Sequence, residues 1–239
     1  MVRIKTVSGE DVGRGAAAEH IKRVALRLFA ERGVDGVTVR DIAAAAGQKN
    51  HGAVSYHFGS KEALVRAVVQ DGAVELERLR NALLDALEAD GGPHCIRDVI
   101  SVLIRSVMAL PGEHYVRFIT MFGMTHRDLM LDAIDPEWNR AYGRCLDHLR
   151  RLLPQLSPGL QNQRFVFMGA SLSAILSARE RALADRSRSH PMWSAPESLD
   201  HFVQMLAAML EAPVGLSDEA VRQLNMSGRG SPHPLGLVG

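Results

Sequence analysis

The sequence predicts an all-α chain: an N-terminal three-helix helix-turn-helix domain, joined by one long helix to a C-terminal helical bundle. Three observations predict it. Nearly every apolar run after residue 15 repeats at three- and four-residue spacing, the period of a helix face. No strand alternation of useful length and no hairpin signal occurs. Gly, Pro and Ser fall between the apolar runs, where helices must stop and restart.

Residues 1–15 are expected to form a flexible N-terminal arm. The first helix spans Ala16 to Arg32, with Ile21, Val24, Ala25, Leu28 and Phe29 on one stripe, and Gly33 supplies the left-handed stop. Thr38 and Asp41 have the spacing of a capping box, so a second helix starts at Thr38 and ends at Gly47. A short third helix covers about Asn50 to Phe58, and Gly59–Ser60 breaks and re-caps the chain. A fourth runs from Lys61 to about Ala89, which at 1.5 Å per residue spans roughly 40–45 Å. That is longer than a small head needs, so it continues into the body as a connector.

Gly91–Pro93 is the next break. A fifth helix follows through Ile96, Val99, Ile100, Leu103, Ile104 and Val107, and ends at Pro111–Gly112. A sixth holds Tyr115, Phe118, Ile119 and Phe122, and a short piece surrounds Leu129–Ile134. Asp135–Pro136 caps a helix carrying Trp138, Tyr142, Cys145, Leu149 and Leu152. Ser157–Pro158 opens the next in the same way. Its FVFMGASLSAIL stretch, Phe165–Leu176, is apolar around much of its circumference and needs cover on several sides. A last helix covers about Glu197–Glu211, and residues 212–239 form a flexible Gly- and Pro-rich tail with a possible turn at Asp218–Leu224.

Apolar residues make up 46% of the 239 and charged residues 23%, an ordinary globular balance for a chain long enough to bury a sizeable core. No window approaches 18 uninterrupted apolar residues, and residues 1–15 lack the apolar core of a secretory leader. A cytoplasmic protein is expected, with Cys95 and Cys145 as reduced, packed thiols. Net charge is +1, unevenly placed. Residues 1–70 hold 11 Lys/Arg against 7 Asp/Glu, and the remainder 17 against 20. A basic head on a mildly acidic body suits a head that approaches an anion.

Catalytic chemistry finds no support. His51 and His57 are six apart, a rotation of roughly 240° on one helix, so they cannot chelate one ion from a single face. No HExxH, ExxH, CxxC, nucleophile elbow or phosphate-binding loop occurs. Gly13, Gly15 and Ala18 fit a loose GxGxxA, but no strand precedes them. No enzyme activity, no cofactor and no metal are expected.

What remains is the second helix, a Gly turn and a short polar helix, about residues 38–58. A helix 10–12 Å across fits a major groove about 12 Å wide. Lys49, Asn50, His51, Ser55 and Tyr56 offer donors and acceptors to it, and Val54 and Phe58 anchor the helix inward. Thr38 and Lys61, at the amino ends of helices two and four, suit phosphate oxygens. Arg40 either touches phosphate or solvates its helix. His57 either touches phosphate or packs, and Tyr56 is read as a contact residue ahead of a core one. Lys61 is expected to be a phosphate contact whose loss lowers the salt slope by about one unit.

At these residues the chain resembles the N-terminal domain of the TetR family of bacterial transcriptional regulators. The resemblance covers about residues 16–70. It rests on Phe29 and Gly33 in an F-x-x-x-G, on Thr38, on Ile42, Ala43, Ala46 and Gly47 in an I-A-x-x-A-G, and on Phe58, Lys61 and Leu64. Two departures fall in GQKNHGAVSYHFGSKEAL. The turn is one residue longer than the family's, and Ser55 stands where an aromatic is usual, with Tyr56 one place later.

The resemblance implies a homodimeric repressor on a pseudo-palindromic double-stranded DNA operator, released by a small, largely apolar effector, with no membrane partner. It also implies that residues 71–211 form a helical ligand-binding and dimerisation domain. The helices at about 158–186 and 197–211 are the candidates for an intersubunit bundle, and an ordinary buried helix is the alternative. Arg105, Met108, Phe118, Met121, Phe122, Trp138, Tyr142, Phe165 and Met168, with Tyr115 and Met124, are either cavity walls or plain core. Arg105, His114, Arg117 and His126 are either anchors for an anionic group or surface residues. The alternative function is a helical small-molecule-binding or protein-interaction module whose helix-turn-helix does not read DNA.

Overall fold

The computed structural model describes residues 9–48 and 52–227. These form α1 (Gly9–Arg32), α2 (Val39–Ala45), α3 (Ala53–Phe58), α4 (Lys61–Ala89), α5 (Ile96–Met108), α6 (Tyr115–Thr125) and α7 (Arg127–Ala133). A 3₁₀ turn at Pro136–Asn139 leads into α8 (Arg140–Leu152). Then come α9 (Pro158–Ala184), the single turn α10 (Pro191–Ser194), α11 (Pro196–Glu211) and α12 (Asp218–Ser227). No strand occurs among the described residues, so the fold is all-α.

The caps explain the first boundaries. Gly33 and Gly47 take φ of +74° and +64°, the left-handed geometry that ends α1 and α2 at no Cβ cost. The Thr38 hydroxyl accepts from the Asp41 N–H at 3.2 Å, and the Asp41 carboxylate accepts from the Thr38 N–H at 2.8 Å. Both halves of the capping box are therefore made. Ser60 caps α4 by accepting from the Ala63 N–H at 3.0 Å.

Two apolar cores organise the chain. The first joins α1 to α4 through Ile21, Phe29, Ile42, Val54 and Leu64. Phe118, Ile119 and Phe122 of α6 and Met130 and Ala133 of α7 lie in this same core. The second joins the far half of α4 to α5, α8, α9 and α11, around Leu84, Ile100, Leu149, Phe165 and Leu210. The head is thus not closed by residues 16–70 alone. Its floor comes from α6 and α7, more than forty residues downstream, because α2 and α3 are too short to cover Phe29 of α1 and Val69 of α4.

Polar contacts pin the long connector to the body. Glu77 of α4 is buried, and its carboxylate accepts from the Ala141 N–H at 3.0 and 3.1 Å, which satisfies a free donor in the first turn of α8. Arg144 of α8 donates to Asn81, Asp85 and Glu88 along α4.

Three boundaries differ from the sequence expectation. α1 begins at Gly9, so part of the expected arm is helical, in spite of Gly13 and Gly15. The tail contains α12, which packs Val221 and Leu224 onto the second core. There Asn225 accepts from the Gly159 N–H at 2.9 Å. A Cβ at Gly159 would lie 2.6–2.7 Å from Asn225 and Leu224 atoms, so glycine is what lets the two backbones meet. Finally, Asp135 and Pro136 open the 3₁₀ turn and not α8 itself, which places Trp138 on that turn.

Candidate functional site

Val54 is fully buried and seats α3 on the head core, with Phe58 half-buried behind it. That leaves Ser55 and Tyr56 outward, Tyr56 with 65% of its surface exposed. His57 is half-buried and packs edge-on against the Tyr56 ring at 5.1 Å. Arg40 is exposed on α2. The Thr38 hydroxyl is exposed but already holds Asp41. Lys49, Asn50 and His51 lie outside the described residues.

Lys61, expected from the sequence as a phosphate contact, is engaged within the chain. Its ammonium donates to the Val34 carbonyl at 3.0 Å and the Val37 carbonyl at 3.1 Å, tying the start of α4 to the loop between α1 and α2. Two of its three N–H donors are spent on the protein's own backbone, which holds this loop and leaves one donor. Sequence reasoning also missed Arg14. Its guanidinium lies over the Tyr56 ring, 5.3 Å from the centroid, and donates to the Tyr56 hydroxyl at 2.5 Å. This contact accompanies the early start of α1. Nothing in the local pattern around Arg14 announces a partner 42 residues away.

In the body, α4, α5, α6, α8 and α9 enclose a cavity of about 40 Å³ beside Arg80, Thr120, Tyr142 and Met168. A second space of about 180 Å³ adjoins it, sharing Val107, Leu110, Tyr115 and Val116 in its wall and reaching Met108, Arg179 and Glu180. Burial lowers the proton affinity of the Arg80 guanidinium. Burial pushes the Tyr142 phenol up to about 12 and raises Tyr115 as well.

The residues named from sequence divide. Tyr142, Met168 and Tyr115 line the inner cavity, and Met108 lines the adjoining space. Phe118 and Phe122 do not: they stack on each other at 5.5 Å inside the head core. Phe165 is fully buried in the second core, with the Arg150 guanidinium 5.6 Å from its ring centroid. Met121 faces a separate cleft with Arg117 and Arg181. Arg105 and Met124 are exposed, and Trp138 sits on its 3₁₀ turn; none of the three lines either of these cavities. His126 stacks on Phe122 at 5.2 Å, while the Arg117 guanidinium meets the His114 ring nitrogen at 3.1 Å.

Arg80 is a buried cavity-lining residue that sequence reasoning missed, and its signal was present. It falls on the buried stripe of α4 that includes Ala73, Leu76 and Leu84, where a leucine would be ordinary. Tyr115 links this cavity to the connector. Its hydroxyl donates to the Val69 carbonyl at 3.1 Å, and its ring lies where a Cβ on Gly72 would stand, 1.9 Å away. α6 therefore touches the cavity with Tyr115, Ile119 and Thr120 and the head core with Phe118 and Phe122.

Among the described residues no helix is long and apolar enough to cross a membrane, and no group of three or more His, Cys, Asp or Glu could hold a metal.

Two family models match this chain in order. Residues 21–68 match the description "bacterial regulatory proteins, tetR family", and residues 102–209 match "Tetracyclin repressor-like, C-terminal domain". A helix-turn-helix-type transcriptional repressor of Mycobacterium tuberculosis is 46% identical over 67 residues, which is 28% of this chain and 35% of that protein. The transcriptional repressor AcnR of Corynebacterium glutamicum is 37% identical over 71 residues, 29% of this chain and 37% of that one. The chain thus spans little more than a third of the curated relatives it matches. A solved Mesorhizobium loti chain assigned to the TetR-family transcriptional regulators aligns over 90% of this chain and 94% of its own, at 15% identity and a TM-score of 0.43. Matched by a head model and a body model over more than half its length, this chain belongs to the TetR family of bacterial regulatory proteins.

Proposed function

We propose that this protein is a dimeric, sequence-specific DNA-binding regulator of transcription in the cytoplasm, a repressor that leaves its operator when a small, largely apolar ligand binds the body. The observation that carries the reading is α6. One helix lines the body cavity and completes the core on which the helix-turn-helix is seated. A ligand that shifts Tyr115 or Thr120 must repack Phe118 and Phe122, because a close-packed core does not deform continuously.

On the head, Arg40, Ser55 and Tyr56 are the contact residues the described structure offers, with Arg14 orienting Tyr56. Arg40 supplies charge to phosphate, and α3 supplies hydroxyl groups to the groove. Lys49, Asn50 and His51 remain readers by proposal. The body spans about residues 71–211 with α12 packed onto its core, and dimerisation runs through α9 and α11. In support, Phe167 and Met205 are large apolar side chains more than half exposed on these two helices. An apolar groove of about 560 Å³ between them runs past Ile175, Leu199 and Met205. A two-fold dimer places its heads on half-sites about one helical turn apart, or a multiple of that.

Linkage sets the ligand's effect: it must bind the DNA-incompetent state more tightly than the competent one. The experiment is sequencing of genomic fragments recovered with the protein, followed by a salt-dependent gel shift on the enriched site. Enrichment of a pseudo-palindrome supports the reading. Recovery of no site above background sinks it.

A further inference from the structure

We propose that the cavity beside Arg80 seats a small ligand with one carboxylate on an apolar skeleton. The inference rests on the reading of the chain as a ligand-responsive regulator and names the chemistry of its effector.

Arg80 is 5% exposed, and its Nε has no hydrogen-bond partner within the chain. Among the described residues no carboxylate lies within ion-pair distance of it. Glu77, one turn earlier on α4, is turned away to the Ala141 N–H and the Asn81 amide. The Tyr142 ring centroid lies 5.5 Å from the guanidinium carbon, and Glu77 favours the charge through space without touching it. A buried cation with no carboxylate in contact, stabilised by a ring face and by Glu77 only through space, is costly.

Two more groups are in the same condition. The Tyr142 hydroxyl and the Thr120 hydroxyl are buried and lack partners within the chain, and both residues line the same cavity as Arg80. The rest of the wall is mainly apolar, with Leu76, Leu103, Met168 and Leu172. One planar guanidinium and two hydroxyl donors match one carboxylate, which accepts a paired N–H fork and further hydrogen bonds. A doubly charged phosphate would bring more charge than this wall neutralises.

Shape sets the skeleton. About 40 Å³ lies beside Arg80, and the adjoining 180 Å³ runs toward the 110–116 segment. The carboxylate sits deep at Arg80, and a short aliphatic or single-ring tail extends past Val107 and Val116. The tail then presses on Tyr115, the residue that stands over Gly72 of the connector.

The test uses the full chain, calorimetric titration, and two acids, phenylacetate and hexanoate, each against its primary amide. The acids are expected to bind roughly tenfold or more tightly than the amides, the scale of a charge-assisted pair. Arg80→Met is expected to remove that preference. Equal affinity for acid and amide, no binding of either acid, or an intact preference in Arg80→Met would each overturn the proposal. If Arg80→Met does not fold, Tyr142→Phe and Thr120→Val take its place. Each is expected to weaken acid binding several-fold, and unchanged acid binding in both overturns the proposal.

DNA binding by the ligand-free protein is measured separately. Acid-selective binding without DNA binding removes the regulator reading and leaves this site standing. DNA binding without acid selectivity does the reverse.

Discussion

The Phe118 ring stacks on Phe29 with centroids 5.9 Å apart and planes 29° apart, which joins α6 of the body to α1 of the head in one core. Both rings are about 1% exposed. A movement of α6 therefore reaches the helix-turn-helix through packed rings and not through a flexible linker. Phe118→Ala is expected to lower stability by about 3–5 kcal/mol through lost burial and a cavity. Phe118→Leu costs less and keeps the fold, but weakens the ligand's effect on DNA affinity. Urea unfolding checks the first, and a gel shift with and without ligand checks the second.

Gly72 gives Tyr115 its place. A Cβ there would stand 1.9 Å from the ring, so Gly72→Ala must displace Tyr115 or bend α4. The expected cost is about 1–3 kcal/mol, the range for overpacking. A thermal melt no lower than the parent's would show that Tyr115 has room to move aside.

Lys61 and Arg40 separate structure from binding. Lys61→Met takes the ammonium from the Val34 and Val37 carbonyls, of which Val34 keeps the Val37 N–H at 3.3 Å, so stability is expected to fall by about 1–3 kcal/mol. The salt slope of DNA binding is expected to stay as it was. Arg40→Ala is expected to do the opposite: unchanged stability, and a slope lower by about one unit. Salt titrations of both variants, beside their unfolding curves, decide the assignment.

Asp41 ties the head to pH. Its carboxyl is held below the ordinary carboxylate range, first by the Thr38 hydroxyl and then by the Thr38 N–H. A carboxylate whose folded pKa is depressed contributes stability above its unfolded pKa, near 3.9, and loses it as pH falls through the folded value. Acid unfolding of Asp41→Asn is expected to show a shallower loss below about pH 4. Thr38→Ala removes the cap itself and is expected to cost about 1 kcal/mol at neutral pH. Equal acid slopes for the parent and Asp41→Asn would exclude this source of pH dependence.

The exposed apolar pair Phe167 and Met205 tests the dimer. Phe167→Glu and Met205→Glu, singly or together, are expected to yield folded monomers in sedimentation and to abolish high-affinity operator binding. A charge in the seam of a two-fold interface meets its own copy or a desolvated wall. Dimers that persist in the double variant would move the interface elsewhere.

Much of the head was legible in the sequence because its determinants are local. Thr38 to Asp41 is a three-residue reach, and Gly33 and Gly47 act at their own φ angles. The stripe from Ile21 to Phe29 needs only helical spacing, and so does the placing of α4, α5 and α11. The limits appear where partners are distant or the period is weak. Phe118 and Phe122 have the spacing of any buried stripe, and the spacing cannot say which core receives them. Trp138 follows a Pro that suits both a 3₁₀ turn and an α-helix start.

The sequence by itself determined an all-α chain, the capped helix-turn-helix, the length of the connector and the basic bias of the head. Those follow from periodicity, caps and composition, which act over a few residues. Only the tertiary structure decided that Lys61 clamps a loop, that Arg14 holds Tyr56, that α6 belongs to head and cavity at once, and that no carboxylate among the described residues touches Arg80. The reason is physical. Where a side chain's hydrogen bonds and charge are satisfied depends on groups tens of residues away, and those meet only when the helices pack.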